Sequence, residues 1–99
     1  MGDEELDDYE ATLELALVQE YKAVVGTFEF AIETDRRFYL ANEVTVEIRS
    51  SGTPTLLEVT LADAWVWDMY RTARFVPSVR ILTFRDVNIE RLAKVELQP

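Results

Sequence analysis

Residues 38–69 read FYLANEVTVEIRSSGTPTLLEVTLADAWVWDM, and the parity of their apolar residues decides the fold. Phe38, Leu40, Val44, Val46 and Ile48 take even positions, interrupted only by Asn42. Beyond Ser50 to Pro54 the apolar residues move to odd positions, Leu57, Val59, Leu61, Trp65, Trp67 and Met69, interrupted only by Asp63. A period of two marks a half-buried strand, so the two rows read as a long hairpin. Placing Gly52 and Thr53 in a two-residue loop puts glycine at the first central position of a type II′ turn. Residues whose numbers sum to 105 then face each other: Ile48 and Leu57, Val46 and Val59, Val44 and Leu61. Asn42 meets Asp63, so these two polar side chains become cross-strand neighbours that can satisfy each other by a hydrogen bond.

On the amino-terminal side, Phe28, Phe30 and Ile32 alternate with Thr27, Glu29 and Glu33 as a further strand, and Thr34 to Arg36 form a turn. Ahead of it, Leu6, Tyr9, Leu13, Leu17, Tyr21 and Val24 recur at steps of three and four, the spacing of one helix face, and Gly26 supplies a stop. A second row, Ala11, Leu15, Val18 and Val25, lies well around the helix from the first and needs its own cover. On the carboxy-terminal side, Arg71 to Pro77 reads as a loop. Val79 to Phe84 reads as a strand apolar on both faces. Val87, Ile89 and Leu92 behind a capping Asp86 or Asn88 suggest a short helix, and the last residues an extended tail. The expected fold is α+β: a single domain over 1–99 with a long amino-terminal helix on an antiparallel sheet of three to five strands, and a short carboxy-terminal helix or turn.

Composition narrows the chemistry. The 99 residues are 48% apolar and 29% charged, as in ordinary globular domains, and contain neither Cys nor His. That removes thiolate nucleophiles, imidazole acid–base chemistry and the ligands most zinc, copper and haem sites use. Net charge is −9, and eight of the 19 acids with none of the 10 bases lie within residues 1–21. Part of that acidity suits the positive end of a helix dipole; the rest, with 1–5 expected as a flexible tail, can attract a basic partner. The start reverses the pattern of a signal peptide and no stretch is apolar enough to span a membrane, so a cytoplasmic protein is expected.

Four blocks carry a family resemblance: Glu20-Tyr21-Lys22 with Val25-Gly26, Glu33 to Asn42, Asp63 to Arg71, and Thr83 to Glu90. Together they resemble a small actinobacterial family, domain of unknown function 2469, over nearly the whole chain. The resemblance implies a cytoplasmic actinobacterial protein and supplies no catalytic residues. Where the family has proline after the tyrosine–arginine pair, this chain has Thr72.

The richest cluster is Trp65 to Arg85, with Arg71, Arg74, Arg80 and Arg85 interleaved with aromatics and Asp68 as the only acid. Guanidinium groups beside flat rings suit single-stranded RNA; the simpler reading makes the tryptophans core and the arginines rim. Glu33, Arg36 and Arg37 can form a small anion site at a hairpin tip, but a cross-strand Glu33–Arg37 pair on the outer face is the simpler account and is the one expected. Asn42, Asp63 and Asp68 offer oxygen ligands without the spacing of a known cation loop. The expected function is a non-catalytic interaction or adaptor protein. It would bind a protein partner, or a second copy of itself, through Leu15, Val18, Val25, Tyr70, Arg71 and Arg74. An RNA-contacting accessory factor using Arg71, Arg74, Arg80 and Arg85 is the alternative. No cofactor, metal, membrane or small-molecule substrate is expected.

Overall fold

A computed structural model describes the backbone of residues 2–93 and the side chains of 8–93. Helix α1 (Gly2–Val24) runs through a 3₁₀ turn, Val25–Thr27, into strands β1 (Phe30–Glu33), β2 (Phe38–Ser50), β3 (Leu56–Val66), β4 (Phe75–Thr83) and β5 (Asn88–Arg91). The expected acidic tail at 1–5 and the extended end beyond residue 93 fall outside the described side chains. The five strands form one antiparallel sheet in the order β4-β3-β2-β1-β5.

That order forces the sheet to curl. Laid flat at about 4.8 Å per strand, the edge strands would stand about 19 Å apart. The link from Thr83 at the end of β4 to Asn88 at the start of β5 reaches only about 17 Å fully extended. The edges therefore bend toward one side, and Val79 and Ile81 of β4 join Ile89 of β5 in packing on a single cluster around Ile32, Tyr39, Val59 and Leu61.

The β2–β3 register follows the sum of 105 from Tyr39↔Val66 to Ile48↔Leu57. The facing does not follow simple parity. Leu40 and Trp65 pack under the helix, whereas Val44, Val59 and Leu61 join Ala41, Ala64 and Val66 on the opposite, concave side. The reversal falls at Asn42 and Asp63, which β4 continues at Pro77. Asp63 has φ of 52°, a left-handed value in the middle of a strand, and its Oδ2 accepts a bond from Asn42 Nδ2 at 2.6 Å. The cause is coverage. The helix reaches only one end of the hairpin, so beyond it the apolar residues must turn inward. The outward face becomes polar instead, with Arg49 and Arg80 converging on Glu58.

Three sequence expectations need correction. Residues 88–91 form an edge strand, not a short helix: Ile89 pairs with Ile32 and turns inward between exposed Asn88 and Glu90, and pairing with β1 outweighs a weak helical spacing. The hairpin loop is Ser51–Thr55 rather than two residues. The register shifts between Ile48 and Ser50, and Gly52 lacks the positive φ that a type II′ turn demands. Strand β4 starts at Phe75 and is an edge strand covered on one side only, with Leu82 left 53% exposed and Phe84 just beyond it 62% exposed.

Candidate functional site

Where the helix meets the sheet, Trp65 is fully buried and Trp67 half-buried. Strand alternation alone would send both toward the helix, and Tyr21 comes down between them, its ring centroid 5.2 Å from Trp67 and 5.9 Å from Trp65. Phe38 completes the group at right angles to Trp67. Tyr21, Phe38 and Trp67 leave an open apolar groove of about 310 Å³.

Glu20 ties the layers together. Its Oε1 accepts the Trp65 indole N–H at 2.7 Å and the Arg74 Nε–H at 2.9 Å, and Oε2 accepts from Arg74 Nη2 at 3.1 Å. Arg74 Nη1 also donates to the carbonyls of Arg71 and Asp68. The hydrogen-bonded Arg74 guanidinium holds the Glu20 carboxyl below its ordinary range, against the opposing effect of burial. Arg74, with 13% of its side chain exposed, braces the 68–74 loop on the helix.

Farther out, the helix stripe leaves the sheet. Leu17 is 2% exposed, Leu13 half-buried and Tyr9 60% exposed, although all three share one helical face. Tyr70, 63% exposed, lies beside Glu10 and Tyr9; desolvation and then the Glu10 carboxylate push its phenol up. Of the second row, Leu15 is 59% exposed and Val18 half-buried, while Val25 packs against the core under the helix. The described residues extend 52 × 47 × 20 Å with a radius of gyration of 16.4 Å. A compact chain of this length would have about 13 Å, so the projecting helix and hairpin lack cover.

The four arginines do not gather. Arg80 Nε bonds Glu58 Oε1 at 3.0 Å on the outer side of the hairpin. Arg85 Nε approaches Asp35 Oδ2 at 3.3 Å, and Arg71 Nε donates to the Ala73 carbonyl at 2.7 Å. Arg71 and Arg85 line the concave side, Arg74 the helix side. Arg37 bonds Asp68 at 2.9 Å rather than Glu33. Asn42, Asp63 and Asp68 do not form an oxygen cage, and no metal-holding group of acids occurs among the described residues. Nor is any helix among them long and apolar enough to cross a membrane.

Sequence reasoning missed Tyr39. The apolar row runs through its even-numbered neighbours Phe38 and Leu40, so simple alternation turns Tyr39 to the face away from the helix. The curl of the sheet makes that face concave and leaves Tyr39 only 9% exposed beside Arg37 and Arg71.

A family model described as a protein of unknown function, DUF2469, matches residues 1–99. The chain is also similar to uncharacterized proteins of Mycobacterium tuberculosis and Mycobacterium bovis. Each is 54% identical over 98 residues, covering 99% of this chain and 97% of the relative. No solved structure matches.

Proposed function

We propose, for a chain that belongs to the DUF2469 family of proteins of unknown function, that it is a non-catalytic cytoplasmic interaction protein. Its partner is a protein with a basic surface around an apolar centre. The observation that carries this reading is the helix stripe from Leu17 to Tyr9, which passes from 2% to 60% exposed as it runs off the sheet. A stripe of this kind is retained at an energetic cost unless something covers it. Tyr70 lies beside its outer end, and Asp8, Glu10 and Glu14 surround it with no base on the helix before Lys22. Charge complementarity therefore selects a basic partner.

The prominent carboxylates are already engaged: Glu20 by Arg74, Glu58 by Arg49 and Arg80, Asp63 by Asn42 and Asp68 by Arg37. That favours docking over acid–base chemistry. The RNA reading gains less support, because Arg74, Arg80 and Arg85 each face a carboxylate of the chain itself.

Affinity purification from nuclease-treated lysate tests the reading, with wild type and the Tyr9→Ser/Tyr70→Ser double variant run side by side. Truncating two aromatic anchors should reduce recovery of the same protein by about thirtyfold or more, the effect of losing about 2 kcal/mol. Recovery that depends on intact RNA, or that is equal for both forms, defeats it.

A further inference from the structure

On the concave side of the sheet, clefts of about 500 and 240 Å³ share Arg37 and Tyr39 and form one trough. Its charge opposes that of the chain. Four guanidinium groups line it, Arg36, Arg37, Arg71 and Arg85, in a protein of net charge −9. Asp68 neutralises Arg37 at 2.9 Å and Asp35 neutralises Arg85 at 3.3 Å. Arg36 has no carboxylate partner among the described residues, and Arg71 uses only its Nε, on the Ala73 carbonyl. Two positive charges are left in excess.

Tyr39 sits between the two parts of the trough. Its hydroxyl makes no hydrogen bond within the described residues, and burial pushes the phenol up against the opposing pull of the Arg37 and Arg71 guanidinium groups. A hydroxyl without a partner, on a buried tyrosine that lines both clefts near two cations, is a donor awaiting an anion. A phosphate monoester carries about 1.5 to 2 negative charges near neutral pH, which matches the excess. Guanidinium forks also engage tetrahedral oxyanions through paired hydrogen bonds. Ile81 and Phe84 add an apolar wall at the larger end, and the volume suits a small organic molecule.

We propose that this trough binds a small phosphate monoester, its oxyanion held by Arg37, Arg71 and the Tyr39 hydroxyl, which line one cleft together, and its organic body laid against Ile81 and Phe84 in the larger cleft beside Arg36. The site lies on the opposite side of the sheet from the helix and does not depend on the docking reading.

Calorimetric titration of the full chain with phenyl phosphate, inorganic phosphate and benzoate tests the proposal. Phenyl phosphate should bind one to one, inorganic phosphate more weakly, and benzoate, a monoanion, weakest. Arg71→Gln should weaken phenyl phosphate by about tenfold, the effect of losing one charge-assisted hydrogen bond. Tyr39→Phe, which keeps the ring and the packing, should weaken it by about three- to tenfold. Lys22→Gln, on the helix, should leave it unchanged. Arg71 is exposed, so its variant folds whatever Tyr39→Phe does. Absence of phenyl phosphate binding at millimolar concentration, equal affinity of wild type and Arg71→Gln, or benzoate binding as tightly as phenyl phosphate overturns the proposal.

Discussion

The indole N–H of Trp65 meets the Glu20 carboxylate at 2.7 Å across 45 residues of chain, and through that carboxylate the helix, the sheet and the 68–74 loop are joined. Trp65 is fully buried, so its N–H must find a partner or carry the full desolvation penalty. Glu20 serves that need and offsets its own burial by accepting from Arg74.

Trp65→Phe removes both the hydrogen bond and the volume of one ring. Urea unfolding followed by circular dichroism should show a loss of about 2–4 kcal/mol. Glu20→Gln keeps the shape of the acceptor but not its charge, and should cost less.

Acid should weaken the fold through the same group. The carboxyls of Glu20 and Glu58 are both held below the ordinary 4.5, each chiefly by hydrogen bonds from arginine, Arg74 for Glu20 and Arg49 for Glu58. The unfolded chain therefore takes up protons first as pH falls. Their stabilisation is fully present above about pH 4.5 and is lost as pH drops through their lower folded values. Unfolding free energies measured from pH 6 to 3 should decline below that point, and Glu20→Gln should flatten part of the slope.

Asp63 occupies the left-handed region at φ of 52° where the apolar face reverses. Glycine tolerates this conformation and alanine does not, so Asp63→Ala should destabilise by about 1 kcal/mol more than Asp63→Gly. Both lose the bond to Asn42. Equal losses in thermal unfolding would show that the backbone conformation is not what Asp63 contributes.

The strand pairing was legible because two opposite parities across one turn fix a register, and the pairs summing to 105 run from Tyr39↔Val66 to Ile48↔Leu57. The burial of Trp65 under the helix was legible for the same reason. Facing beyond Asn42 and Asp63 was not, since a periodic pattern cannot show where a helix stops covering a sheet. Strand β5 was hidden because four residues with a single inward side chain, Ile89, fit a helix as well as an edge strand until their partner is known. The concave trough was hidden because it depends on strand order. Arg36 and Arg37 come from one turn, Arg71 from a loop and Arg85 from another, and only the curl of the sheet places all four along the two clefts that Tyr39 shares.

The central claim is that the outer helix lacks cover within a single chain and awaits a partner. Amide hydrogen exchange of the isolated protein at low micromolar concentration tests it most directly. Amides of residues 17–24, packed on the sheet, should exchange about a hundredfold or more slowly than those of 9–15, because a helical segment without packing opens at little cost. Equally slow exchange along the whole helix would contradict the account, since the stripe from Leu13 to Tyr9 would then already be held by the chain itself.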